Sequence, residues 1–279
     1  MYGNNPTGLN PHTGGRNGDY NFSPSAQFGL AGREYANNIF NTAGIKFGKV
    51  NFDQAAFLAD GTQQTHPDAE TMDVSYNEIF DNDGAGFWPD ADCHMIDFHH
   101  NEVYGNGVGY FNERTVPDKM NSIGVFLETS GHSGLAGNLA LRHNHVYHHD
   151  MDDVSMYPAN IFVWNSANVL IDQNIIDIDQ LSNPGGHGDV SGIVLRPDTT
   201  RERFMGTTVV TDNVINAAAG MIVESGVRAD DSGGTSFPVS WLTWSGTTYG
   251  GPGTQTFMHG QVGSGNLSLA QWQALGYDV

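Results

Sequence analysis

The chain has 279 residues and a formal net charge of −20, with Gly at 36 positions and charged residues at only 15%. So acidic a chain is a poor partner for nucleic acid or anionic membranes, whose phosphates need Lys and Arg, and for bare polyanions unless a cation or a local Arg intervenes. Its one cysteine, Cys93, excludes an intrachain disulfide, and no apolar run is long enough to span a bilayer.

Residues 1–30 are rich in Gly and Asn and read as an irregular segment. The first residues lack a charged-then-apolar leader, so an exported protein of this kind would have lost its leader before Met1. A weak motif, ANNIFN around Asn37, comes first and is followed by the short strand GIKFG. From there two segment types alternate. MDVSYNEIF, IDFHHNEVY, LALRHNHVY, VLIDQNIID and VVTDNVINA share alternating apolar residues, an Asn, and an apolar residue two places on. Their asparagines are Asn77, Asn101, Asn144, Asn174 and Asn213, separated by 24, 43, 30 and 39 residues. Each is followed by a second strand that mostly opens with Gly: GFWPD, GVFLE, NIFVW, GIVLR and GMIVE. Short β-rich runs bounded by turn residues argue for strands.

No such unit can bury its own apolar side, but stacked units build one continuous core. The expected fold is all-β: a single right-handed parallel β-helix over 1–279, of about six or more coils. Its regular coils span 30–230, and 231–279 form irregular final coils and a cap. Inward positions are Val74, Phe98, Leu141, Ile171 and Val210 on one wall, and Phe87, Val125, Ile161, Ile193 and Met221 on another. The asparagines are expected to stack at one bend of every coil and satisfy its backbone groups. Near the C-terminus, Ser268 reads as an N-cap, LAQWQAL as a short helix and Gly276 as its C′ residue. Such a helix would cover the open end of the stack.

The phrases SIGVFLETSGHSGLAGNLALRHNHVYHH and GAGFWPDADCHMIDFHHNEVYGN resemble repeats of right-handed parallel β-helix proteins of the pectin-lyase-like superfamily, over roughly residues 30–230. The resemblance implies architecture more than activity, because that fold carries lyases, hydrolases, epimerases and adhesins. It also implies that chemistry sits on the wall of the Gly strands, flanked by the long segments 112–122, 150–159 and 180–191. The chain departs from the group in showing no amphipathic helix ahead of the first coil.

Alternation sends every second residue of that wall outward. One expected column is Lys46, Trp88, Phe126, Phe162, Val194 and Ile222. The next is Gly48, Asp90, Glu128, Trp164, Arg196 and Glu224. A third, at the strand exit, is Asp92, Ser130, Ser166 and Asp198. Exposed aromatic rings beside carboxylates suit a sugar chain. Two carboxylates on adjacent strands, Asp90 and Glu128, should split into an acid and a base, at a spacing close to that of a retaining glycosidase. Expected catalytic residues are Asp90, Glu128 and Arg196. Expected substrate contacts are Trp88, Phe126, Trp164, Asp198, His132 and His187. The alternative for the aromatics is that loops cover them and they merely pack.

The same residues admit a second chemistry. Asp90, Asp92 and Glu128 could hold Ca²⁺ as oxygen ligands in a polysaccharide lyase, with Arg196 or a Lys as base. RPDTTR (196–201) resembles the Arg cluster of pectate-type lyases, at a different spacing. Gly-His-Gly at His187, with Asp152–Asp153 upstream, resembles polygalacturonase-type hydrolases, whose Asn-Thr-Asp and Arg-x-Lys signatures are missing here. His143, His145, His148 and His149 could ligate a transition metal with His100, but they fall at the Asn bend and read more simply as turn residues. The expectation is a secreted or cell-surface monomer that cleaves a polysaccharide. Hydrolysis comes first, calcium-dependent elimination second and a non-catalytic glycan-binding or structural solenoid third.

Overall fold

A computed structural model describes Phe28–Gly29, Arg33–Glu34 and Ile45–Gly48, and then residues 72–80, 85–90, 93, 95–106, 123–131, 139–147, 159–179, 189–197, 205–228, 239–259 and 263–279. Expected site residues Asp92, His132, His187 and Asp198 lie outside them, as do Asn37, His148, His149 and the Asp152–Asp153 pair. For Asp90 the backbone alone is described.

The chain is a right-handed parallel β-helix. Its strands are β1 (Phe28–Gly29), β2 (Arg33–Glu34), β3 (Ile45–Gly48), β4 (Met72–Ser75), β5 (Glu78–Phe80), β6 (Phe87–Asp90), β7 (Ile96–His99), β8 (Glu102–Tyr104) and β9 (Ile123–Glu128). They continue as β10 (Leu139–Arg142), β11 (His145–Tyr147), β12 (Ala159–Trp164), β13 (Val169–Asp172), β14 (Ile175–Ile178), β15 (Asp189–Arg196), β16 (Thr208–Thr211), β17 (Val214–Ala217) and β18 (Ile222–Val227). The last coil is β19 (Leu242–Ser245), β20 (Thr248–Gly250) and β21 (Thr254–His259), followed by β22 (Gly263–Leu267). Every third strand joins the same sheet. Two sheets have seven strands, in the orders β1-β4-β7-β10-β13-β16-β19 and β2-β5-β8-β11-β14-β17-β20. The third has eight and carries the Gly strands, in the order β22-β21-β18-β15-β12-β9-β6-β3.

The wall Val74–Phe98–Leu141–Ile171–Val210 is in register as the spacing predicts, and Trp244 extends it. All six are buried in the main core. The second wall agrees through Phe87, Val125, Ile161 and Ile193, but not at Met221. Met221 is buried just ahead of β18, and a register shift after Ser191 aligns Val194 with Gly226. Ile222 and Glu224 therefore pair with Asp189 and Ser191, two columns away from their expected places. Residues 242–259 also differ from expectation: they make a seventh full coil with strands in all three sheets. Thr247 stands there where the Asn signature would be.

The asparagine bend is a polar ladder inside an apolar tube. Each Asn donates its backbone N–H and its amide to the Oδ1 of the next: Asn77 to Asn101, Asn101 to Asn144, Asn144 to Asn174 and Asn174 to Asn213, all at 2.9–3.0 Å. The amides also reach carbonyls one coil back, as from Asn144 to Phe98 O at 2.9 Å. The ladder holds a tight bend, because the residue before each Asn sits in the left-handed region: Tyr76, His100, His143, Gln173 and Asp212 have φ of 51–56°. Such a conformation costs about 1 kcal/mol or more in a non-glycine residue, and the over-determined ladder offsets it. At the last coil Thr247 N donates to Asp278 Oδ1 at 3.0 Å, so the C-terminal segment ends the ladder.

The entry to the Gly strands is glycine for lack of space. A Cβ on Gly86 would lie 2.6 Å from Val103 Cγ1, and one on Gly192 2.7 Å from Ser225 Oγ. The C-terminal cap matches its sequence signals. Strand β22 turns antiparallel against β21, and α1 (Leu269–Ala274) carries a capping box of Ser268 and Gln271. Trp272 of α1 is fully buried against Trp244 and Phe257. At the C-terminal end the third sheet therefore closes on an antiparallel strand, and α1 plugs the tube beside it, which blunts that end of the stack.

Candidate functional site

The third sheet brings Asp90, Glu128, Trp164 and Arg196 into one column as successive register partners. Phe126, Phe162 and Val194 form the neighbouring column, with the Trp88 ring tilted against Phe126 at 5.1 Å. From Phe87, Val125 and Ile161 onward the faces separate as alternation requires: Val125, Leu127, Ile161, Val163, Ile193 and Leu195 enter the main core, whereas Trp88, Phe126, Phe162, Trp164 and Val194 form a second cluster. Ala85, Ile123 and Ala159 join that second cluster although they share the parity of the inward residues two places on, so the alternation is broken at the strand entry.

The solvent exposure expected of this wall is not found. Trp88 is 8% exposed, Phe126 1%, Trp164 5%, Glu128 7% and Arg196 2%. The outer face of a solenoid sheet needs no burial to hold its coils together, so this face has been given a core of its own. Within it the charges are specifically held. Trp88 Nε1 donates to Glu128 Oε2 at 3.0 Å. The Arg196 guanidinium lies over the Trp164 ring, 4.6 Å from its centroid, in cation–π contact. Glu224, also buried, occupies an earlier column between Ser191 and Thr256.

The third expected column is replaced by a bend. Gly131 N donates to Cys93 O, Ala167 N to Ser130 O and Gly206 N to Ser166 O. Cys93, Ser130, Ser166 and Met205 are thus the residues in line, one place on from Asp92 in the first coil. Ser130 and Ser166 are fully buried and act as ladder groups. Ser166 Oγ accepts from Ser130 N at 3.1 Å, and Ser130 Oγ accepts from Cys93 N at 3.3 Å. Their hydroxyls satisfy backbone, not substrate.

The histidine bend carries contacts that sequence reasoning left as plain turns. His100 stacks between Tyr76 at 5.2 Å and His143 at 5.0 Å, and His99 Nε2 lies 3.1 Å from Asp73 Oδ1. Burial, then the neighbouring His99, His143 and Arg142, push the His100 imidazole below its ordinary value. Among the described residues no group of three His, Cys, Asp or Glu side chains is arranged to hold a metal ion.

An aromatic ladder on the second sheet was missed, although it recurs three places after each of Asn77, Asn101 and Asn144. Phe80, Tyr104 and Tyr147 stack at 5.1 and 5.0 Å. Around it Tyr104 donates to Glu78 at 2.6 Å, and His145 bridges Glu102 at 3.1 Å and Asp177 at 2.7 Å. Burial, with Glu102 adding, pushes the Tyr147 phenol up to about 12, so it is a donor and a poor base. The rings cover one another's faces, leaving edges rather than a platform for a sugar. This ladder reads as coil-to-coil adhesive.

No family model matches the chain, and no curated protein or solved structure matches it either, so what identifies it is its architecture, a right-handed parallel β-helix.

Proposed function

We propose that the protein is an extracellular polysaccharide-cleaving enzyme of the pectin-lyase-like type, acting as a glycoside hydrolase through Asp90 and Glu128. One observation carries the reading. Glu128 is a nearly buried carboxylate among aromatic rings, outside the main core, in register with a second acidic residue. Removing a carboxylate from water is costly, and coil stacking does not require it there. Ionisable groups kept in such surroundings are candidates for chemistry. Adjacent parallel strands lie about 4.8 Å apart, which suits a carboxylate pair working from the two sides of one glycosidic bond with retention. Arg196 and Trp164 extend the column as a cationic and aromatic subsite.

Calcium-dependent elimination would use Asp90, Asp92 and Glu128 as ligands. The indole N–H on Glu128 Oε2 is compatible with that role as well as with the hydrolytic one, because a carboxylate accepts several contacts at once. Burial of the aromatic wall favours a different second reading, a non-catalytic solenoid whose outer face only packs. A polysaccharide screen separates the three. New reducing ends without near-ultraviolet absorbance support hydrolysis. An absorbing unsaturated product that disappears with chelator supports elimination. Neither product, across neutral and acidic glycans, leaves the packing reading.

A further inference from the structure

Within the polysaccharide-cleaving reading, on which this inference rests, we propose that Trp88 is a positioning residue that holds Glu128 as the ionised member of the carboxylate pair and leaves the proton to Asp90. Trp88 and Asp90 are alternate residues of β6, with Pro89 between them. Proline fixes its own φ, so the two places keep a set relation. The indole rests on Phe126, and Phe126 is the alternate neighbour of Glu128 on β9. The strand that supplies the acid thus also supplies the group that orients the nucleophile. Burial of Glu128 by itself favours the neutral form; indole N–H can only donate, and a donor 3.0 Å from the carboxylate oxygen opposes burial by favouring the charged form. With that charge in place, a second carboxylate on the adjacent strand is the one to stay protonated.

The roles follow. Asp90 gives its proton to the leaving glycosidic oxygen as the carbon–oxygen bond breaks. Glu128 gives an electron pair to the anomeric carbon. Water then splits that ester, leaving its hydroxyl on the sugar and returning its proton to Asp90, and Glu128 is released as carboxylate.

The test uses the whole protein and two readouts. The first is the ¹⁵N–¹H signal of the Trp88 indole, assigned by its loss in Trp88→Phe. It is expected to titrate in the acid range as Glu128 takes up a proton, and Glu128→Gln is expected to flatten it. The second is the pH profile of kcat/KM, whose acidic limb is expected to rise by about one pH unit in Trp88→Phe, the effect of one hydrogen bond to a charged group. Phe162→Leu, another ring change in the same cluster, is expected to leave that limb in place. An indole signal that does not respond to Glu128→Gln, or an acidic limb unmoved in Trp88→Phe, overturns the proposal. If the indole titrates with Glu128 and no glycan is cleaved, the assignment of charge to Glu128 stands and the enzymatic reading falls.

Discussion

Arg142 does not pair with the residue across from it. It sits beside Asp172 and His99 in its own column, yet its guanidinium grips Asp97, with Nε at 2.8 Å and Nη2 on the second carboxylate oxygen, although Asp97 is in register with Ala140. The same diagonal recurs. Asp73, in register with Asp97, meets His99, and Glu78, in register with Glu102, receives Tyr104. Two like charges stacked in register repel. A donor two places along the next coil lies between such charges and ties the coils together.

Arg142→Ala is expected to lower stability by about 0.5–1 kcal/mol, the scale of a partly exposed pair, with a smaller loss at high salt. Arg142→Lys is expected to recover only part of it, since an ammonium cannot make the forked contact. Urea unfolding at low and high salt measures both.

Asn144 lies at the middle of the ladder, accepting from Asn101 and donating to Asn174 and Phe98. Asn144→Ala strands several buried backbone and amide groups at once and is expected to cost about 2–4 kcal/mol, more than one unsatisfied group alone. Next to the same ladder, Gln173 is exposed at φ 53°, and Gln173→Gly is expected to stabilise by up to about 1 kcal/mol by relieving the left-handed strain. Opposite signs from ladder and neighbour in urea unfolding would check this account of the bend.

His259 faces the core under the cap, 4% exposed, with Nε2 3.3 Å from Tyr277 Oη and its ring near Trp272. Burial lowers its proton affinity below the ordinary 6.5. The unfolded chain therefore binds the proton more readily than the folded one. Stability is full above about pH 6.5 and is lost as pH falls from there towards the folded value. His100, lowered in the same direction at an exposed bend, adds to the trend. His259→Phe is expected to flatten the dependence of Tm on pH between about pH 7 and about pH 5. An equally steep fall in the variant would place the acid sensitivity elsewhere.

Glu128→Gln is expected to reduce turnover by about a hundredfold or more, while the amide oxygen still accepts from Trp88 and the fold survives. Trp164→Ala behaves differently from a residue on an open platform. Its ring is buried beside Phe126 and Phe162, so about 3–5 kcal/mol of stability should be lost along with binding. A Trp164→Ala protein with unchanged Tm and weaker glycan binding would mean that the ring is open to substrate.

The architecture was legible because a solenoid is specified locally. The spacing of Asn77, Asn101, Asn144, Asn174 and Asn213, and period-two apolar residues on either side of them, determine which side chains enter the tube and which coils stack. A one-residue slip would turn a whole strand inside out. The column Asp90–Glu128–Trp164–Arg196 followed from the same rule. Two signals were weaker than the structure they encode: the seventh coil, where Thr247 replaces Asn, and the Phe80–Tyr104–Tyr147 ladder at a fixed offset from the first three asparagines.

Local pattern could not decide what depends on loop length and on contacts along the axis. The extra residue that puts Cys93 rather than Asp92 in line with Ser130 has no periodic signature, nor does the shift after Ser191 that moves Glu224 out of the Arg196 column. Alternation says that Trp88, Phe126, Phe162 and Trp164 leave the main core. It cannot say whether water or protein meets them on the other side, because that depends on chain distant in sequence. The tertiary structure decides it: they pack into a second core and enclose Glu128 and Arg196 within it.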